Sequence, residues 1–430
     1  MKYHQIDRHL FIKNRSKFTA QMKPKSVAVF NSNDIYPVSA DSTLPFAQHR
    51  DIFYLSGIDQ EESILLLFPD APYEHQKEML FLKETSELIA IWEGEKLTKE
   101  RAFQISGIKT VYWLQDFEKI LFELMTYSDT IYINTNEHYR SHVETETREA
   151  RFVKWWKEKY PAHQVAKSNP ILQRLRSVKE SEELDLIQHA CNITEKGFRR
   201  ILEFVKPNVM EYEIEAELIH EFVRNRSKGF AYTPIIASGN NANVLHYIEN
   251  NQQCKAGDVI LLDVAAEYAN YSSDLTRTIP VSGRYSERQK AVYNAVLRVK
   301  KEATKMLTPG TNWKQYHVEV GKIMTSELLG LGLIDKADVQ NENPDWPAYK
   351  KYFMHGTSHH MGLDTHDYGL LTEPMQANMV FTVEPGIYIP AEGFGIRIED
   401  DVVIQATGEP FNLMKNIPIE VEEIEHLMNS

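Results

Sequence analysis

The sequence predicts two domains of mixed structure, an α/β domain over residues 1–172 and an α+β domain over residues 173–430. Three observations lead there. At 430 residues the chain exceeds what one hydrophobic core usually supports. Its first part alternates strand-like runs with helical stretches, the rhythm of a layered α/β unit. Its second part sets amphipathic helices ahead of strands, and that order occurs twice, which points to an internal pseudo-twofold.

In the first domain the apolar runs Ser26 to Asn31, Ser63 to Phe68, Glu78 to Leu82 and Thr130 to Ile133 predict strands. Asp116 to Met125 and Glu144 to Lys159 predict helices. Pro161, Pro170 and the polar segment between them mark a connection, which sets the boundary near Leu172. Ser181 with Glu182 and Glu183 then announces a helix N-terminus. Its apolar positions Leu184, Ile187, Cys191, Phe198, Leu202 and Val205 recur mostly at three- or four-residue steps, and Pro207 ends it. A second helix from Glu211 shows Ile214, Leu218 and Phe222 on one face, and a third, Glu287 to Leu307, repeats the pattern. Strands are predicted at Ile235 to Ser238, Val259 to Tyr268, Ser272 to Pro280, Met379 to Pro385 and Gly395 to Ile404.

Composition narrows the function classes. The formal charge of −13, from 48 basic and 61 acidic residues, is spread along the chain and argues against nucleic acid as a partner. No apolar run is long enough to cross a bilayer, and the charges scattered through Met1 to Arg15 break any apolar leader core, so a cytoplasmic location is expected. Two cysteines, Cys191 and Cys254, fit a reducing compartment and inert structural thiols.

Several segments carry chemistry. Val259 to Ala266 is apolar on both faces, so Asp263 belongs to a buried strand, where an ionised carboxylate needs a cation. Asp274 follows in a second strand-like segment; pairing with Arg277 is the ordinary alternative for either acid. Gly395 to Val402 alternates strictly, putting Arg397 and Glu399 on one face, for which a salt-bridged outer surface is the ordinary reading. Glu384 stands at the end of an apolar strand, just before Pro385-Gly386. His355, His359, His360 and His366 lie within twelve positions among small residues, a setting for metal ligands or proton carriers. Leu245-His246-Tyr247 adds a histidine after a Gly/Asn turn. The helical zinc-protease motif fails at Arg224, and neither a dinucleotide fingerprint, a phosphate loop nor a serine nucleophile elbow is present.

Together and in order, Asp263, Asp274, His359, Glu384 and Glu399 resemble the five metal ligands of the pita-bread metallohydrolases, the family of methionine aminopeptidase, prolidase and aminopeptidase P. The local sequences are Leu-Leu-Asp263, Ser-Asp274-Leu-Thr-Arg-Thr, His355-Gly-Thr-Ser-His359, Thr-Val-Glu384-Pro-Gly and Gly-Ile-Arg397-Ile-Glu399-Asp-Asp. Leu245-His246-Tyr247, Leu363 to Asp367, Arg397 and the run Phe46 to Gly57 resemble the proline-specific branch, aminopeptidase P. Val264-Ala265 and Ser272-Ser273 depart from the family's usual glycines, yet every ligand stays in place.

The resemblance implies a creatinase-like α/β N-terminal domain and a pita-bread catalytic domain that hydrolyses the bond between an N-terminal residue and a following proline. It implies two divalent ions, Mn²⁺ first, with Co²⁺, Zn²⁺ or Fe²⁺ as alternatives, and a bridging hydroxide. Asp274 and Glu399 would bridge, Asp263 would bind one ion, and His359 with Glu384 the other, Glu384 also shuttling the proton. His366 and His246 are further catalytic candidates; His355, Arg397 and Tyr388 are expected on the substrate. Trp92, in Ile91-Trp92-Glu93-Gly94, resembles a tryptophan lent to a neighbouring subunit, which implies a homodimer or homotetramer; an ordinary core tryptophan is the alternative. Prolidase, restricted to Xaa-Pro dipeptides, is the competing activity, followed by a non-catalytic peptide-binding relative.

Overall fold

A six-stranded mixed sheet organises the N-terminal unit, Gln5–Leu175, in the computed structural model, which describes residues 2–135, 137–141 and 143–430. Its order is Thr110–Trp113, Glu78–Leu82, Ser63–Leu67, Ser26–Asn31, Thr130–Ile133, Gln164–Lys167. Ser26–Asn31 runs antiparallel to Ser63–Leu67 and parallel to Thr130–Ile133. Ser26–Asn31 and Ser63–Leu67 are buried at every position, as expected of central strands covered on both faces. The core includes Val27, Val29, Leu66, Phe81, Leu121, Phe152 and Trp156. The helix predicted from Glu144 begins at Arg148, because the Thr147 hydroxyl caps it by accepting from the Ala150 N–H.

The second unit comprises Arg176–Ser430 with residues 2–4. Two helix pairs recur within it, Ser181–Phe204 with Glu211–Arg224 and Glu287–Lys305 with Trp313–Gly330, each followed by antiparallel strands. In the first pair Gly197 sits where the helices cross. A Cβ there would meet the Phe222 ring at 2.6 Å, so its absence lets the helices approach. The helix Trp313–Gly330 lies where no element was expected.

Behind the first pair, Val259–Asp263 is the middle of three antiparallel strands, flanked by Ile235–Ser238 and Thr276–Pro280. The continuous strand expected to Tyr268 stops at Asp263. The chain then makes a tight hairpin at Ala269 and Asn270, φ +54° and +67°, before Tyr271–Ser272. Behind the second pair, Val380–Val383 pairs with Asp400–Val403, and Gly386–Ile389 with Phe394–Arg397. The expected strand Gly395 to Ile404 therefore belongs to two ladders and changes partner at Ile398 and Glu399. Both Arg397 and Glu399 are buried, so no salt-bridged outer surface exists there.

Candidate metal centre

The strand register carries three acids to one place. Asp263 ends its strand opposite Thr276, and Thr276 bridges in turn to Glu399, whose N–H donates to the Thr276 carbonyl at 2.9 Å. Asp274 lies in the bend before Thr276, its N–H donating to Asp401 Oδ2 at 2.9 Å. The histidine loop lies along the strand Val380–Val383. His359 N–H donates to Thr382 Oγ1 at 3.1 Å, Thr382 N–H to the His359 carbonyl, and Glu384 N–H to the Thr357 carbonyl. These contacts bring His359 and Glu384 to the carboxylates.

Ligand atoms of Asp274, His359 and Glu399 all lie within 4.8 Å of one another, and all three residues are buried. His359 Nε2 stands 3.4 Å from Asp274 Oδ2 and 3.7 Å from Glu384 Oε1. Its Nδ1 is 2.9 Å from the His360 carbonyl, so Nδ1 carries a proton and Nε2 is the nitrogen that faces the acids. Asp263 is held at the margin, accepting from Arg397 Nη2 at 2.5 Å and Tyr232 Oη at 2.6 Å. Neither acid pairs with Arg277, which instead binds Asp400 Oδ1 and the Glu399 carbonyl, both at 2.6 Å. Lys300 joins Asp400 there, so a buried charge cluster fixes the backbone behind Glu399.

Electrostatics mark the cluster as short of positive charge. Burial raises the Asp263 carboxyl, against Arg397 and reinforced by Asp274. Burial pushes Glu384 up to about 7, against His359 and Arg397. Glu399 is held well above the usual range by burial and by Asp274, Glu384 and Asp263. Burial opposes charge on His359, but its contact with Asp274 and the charge of Glu384 outweigh this and raise it. Four carboxylates and one imidazole are a hard, oxygen-rich donor set, so the residues present fit divalent ions.

Around this cluster Arg397 Nη1 donates to Tyr388 Oη at 2.9 Å, and Tyr388 Oη meets His355 Nε2 at 2.7 Å. His355 Nδ1 lies 2.7 Å from the Gly356 carbonyl, which places its proton there and makes Nε2 the acceptor of the tyrosine proton. Burial and Arg397 push His355 down to about 3, so it is neutral. A Cβ on Gly386 would meet the Tyr388 hydroxyl at 2.7 Å, so this glycine keeps the chain intact. The His366 ring lies 4.3 Å from that of His359, and His246 is near enough for its charge to act on His355. Both are exposed. The loop bearing His366 is anchored by buried Asp367, 2.5 Å from Arg176 and 2.9 Å from Lys179. Trp92, on Glu87–Glu93, is 82% exposed. That excludes the core reading, which failed because Ser86 caps a short helix whose apolar residues face outward.

Tyr232, Thr276 and Asp401 were missed by sequence reasoning. Thr276 donates to Glu399 Oε2 at 2.6 Å. Its spacing of two from Asp274 was the one available signal; Tyr232 offered none.

Comparison with known proteins decides the family. Residues 185–406 match the model described as metallopeptidase family M24, and residues 11–132 that of the aminopeptidase P N-terminal domain. The chain belongs to metallopeptidase family M24. It is a metal-dependent aminopeptidase with the pita-bread catalytic fold. It is 33% identical to a Xaa-Pro aminopeptidase of Haemophilus influenzae, over 99% of this chain and 98% of that one. It is 32% identical, over the same shares, to a Xaa-Pro aminopeptidase of Escherichia coli. The solved structure of E. coli aminopeptidase P with the inhibitor Pro-Leu superposes with a TM-score of 0.89 at 31% identity, covering 99% of each chain. No described helix of this M24 member is long and apolar enough to cross a membrane.

Proposed function

We propose that this chain removes the N-terminal residue from peptides whose second residue is proline, using two divalent ions held by Asp263, Asp274, His359, Glu384 and Glu399. The observation that carries the chemistry is the buried convergence of Asp274, His359 and Glu399 within 4.8 Å. The substrate reading rests on similarity to Xaa-Pro aminopeptidases over nearly the whole of both chains.

Asp274 and Glu399 would bridge the ions, Asp263 would complete one shell, and His359 with Glu384 the other; Mn²⁺ suits this set. Two such ions supply Lewis acidity and a water acidic enough to react near neutral pH. Glu384 takes the proton of the attacking water and returns it to the leaving nitrogen. That nitrogen belongs to proline and, within the peptide bond, has no N–H to donate, so the site must recognise the ring and the carbonyl instead. His366, beside His359, would stabilise the oxyanion, and His246 and His355 would hold the carbonyl and proline side. Arg397 commits three donors, to Thr276, Tyr388 and Asp263. It therefore orients the site as well as the substrate, with Tyr388 forming the wall. The exposure of Trp92, Ile91 and Leu88 on one short helix supports a homo-oligomer, dimer or tetramer, in which Trp92 enters a neighbour's site. Two buried free cysteines fit the cytoplasm.

The test is metal analysis combined with cleavage of Xaa-Pro dipeptides and Xaa-Pro-Yaa tripeptides by Mn²⁺-loaded protein. Release of Xaa and Pro-Yaa from tripeptides is expected. Cleavage of dipeptides alone indicates a prolidase, and cleavage of neither sinks the reading.

A further inference from the structure

The N-terminal unit holds an open, shallow surface cavity, lined by none of the residues assigned to the peptidase chemistry. Its volume is about 310 Å³, enough for a small molecule. It opens at the carboxyl end of the strand Ser26–Asn31, beside the first turns of the helix Arg148–Lys159. In open α/β sheets ligands collect at that end of the strands.

One wall is aromatic. Phe117 and Phe152 have ring centroids 6.2 Å apart, and Phe152 and Trp155 5.8 Å apart. Three charged side chains also line the cavity, Arg148, Arg151 and Glu118. Arg151 is satisfied by Asp34 at 2.7 Å, and Glu118 by Lys159 at 3.1 Å. Arg148 differs from both. It donates one hydrogen bond, to the Ser32 hydroxyl at 3.0 Å, and among the described residues no acid forms an ion pair with it. Asp34, Glu62 and Glu149 act on it only at longer range, while burial weighs against its charge. Glu149 turns both oxygens to Asn31, accepting from its backbone N–H at 2.8 Å and its side-chain amide at 3.0 Å.

A half-buried guanidinium with donors to spare, lining the same cavity as three aromatic rings, complements a carboxylate carried on an aromatic body. The planar fork matches a carboxylate in paired hydrogen bonds, and the rings take the apolar part. We propose that this cavity binds a small aromatic carboxylate, with Arg148 on the carboxylate and Trp155, Phe152 and Phe117 around the ring. Two sources share this chemistry, a free aromatic acid and the C-terminal residue of a peptide.

The test titrates full-length, Mn²⁺-loaded protein with 3-phenylpropanoate, N-acetyl-phenylalanine and N-acetyl-phenylalaninamide. Binding is read by calorimetry and saturation-transfer NMR, alongside Arg148→Met and Trp155→Ala. Both acids are expected to bind saturably, with the amide at least tenfold weaker. Arg148→Met should weaken both acids tenfold or more and Trp155→Ala threefold or more, with peptidase turnover unchanged. Tighter binding of N-acetyl-phenylalanine assigns the site to peptide C-termini, and tighter binding of 3-phenylpropanoate to free acids. Equal binding of acid and amide overturns the proposal. Undiminished acid binding by folded Trp155→Ala does so too, even where Arg148→Met does not fold.

Discussion

Thr276 and His366 both touch the candidate metal centre, yet they should fail differently when removed. Thr276 holds a carboxylate oxygen of Glu399, so if Glu399 binds metal, Thr276→Val should weaken metal binding by about 10–100-fold, as losses behind a ligand do. The His366 ring lies 4.3 Å from that of His359. His366→Ala should leave metal content intact and lower kcat and kcat/KM together, by about 100-fold if it meets charge that develops only in the transition state. Metal titration with steady-state kinetics separates the two, and loss of metal from His366→Ala would make it a ligand. Glu149 offers a test by pH. Burial, against its bonds from Asn31, pushes it up to about 8 from an unfolded value near 4.5. The folded chain thus keeps a proton that the unfolded chain releases. The stability this adds is full below about pH 4.5, declines as pH rises, and is gone above about 8. Glu149→Gln, which cannot titrate, should remove up to about 1.4 kcal/mol per pH unit from that decline. Urea denaturation from pH 5.5 to 8.5 measures it, and parallel profiles for the two proteins would contradict it.

At the scale of elements, the crossing at Gly197 is the sharpest constraint. A side chain there must displace Phe222 and Leu218, both at the contact. Gly197→Val should cost about 1–3 kcal/mol, the usual penalty of overpacking, despite the better helix propensity of valine over glycine. Chemical denaturation checks the value, and an unchanged midpoint would mean that the helices part freely. The same elements show what the sequence could and could not disclose. The stripe Ile187, Cys191, Phe198, Leu202 was legible because one face of a long helix is buried and periodic. The helix Trp313–Gly330 was not, although Tyr316, Val320, Met324 and Leu328 recur every four residues, because apolar residues such as exposed Val318 stand on other faces and blur the pattern. The strand breaks at Asp263 and Ile398 were hidden for another reason. Apart from Asp263 and Glu267 the first run is buried, and the second is buried throughout while its sequence alternation runs straight across the break, so the pattern does not show where a strand changes partner. The five candidate ligand positions were singled out by acids in apolar strands and clustered histidines, but only their joint resemblance to the pita-bread metallohydrolases pointed to metal. Tyr232 and Asp401 did not, since contacts from a distant element or from a backbone N–H leave no spacing to read.

Across the whole molecule, four carboxylates and one imidazole, drawn from separate elements of one unit, would form a single two-metal centre in which Asp274, His359 and Glu399 are buried and Asp263 and Glu384 half-buried. Thr276 links the ladders that bear Asp263 and Glu399, and the histidine loop brings His359 and Glu384 to them. Arg397 lowers both Glu384 and Glu399, and His359 lowers Glu384, but both acids remain pushed up. Bound cations would reverse that bias. Anomalous diffraction from crystals grown with Mn²⁺ tests this most directly. Two peaks are expected, roughly 3.5–4 Å apart, both contacted by Asp274 and Glu399, with Asp263 on one and His359 and Glu384 on the other. A single saturated peak, or metal bound away from these five side chains, would contradict it.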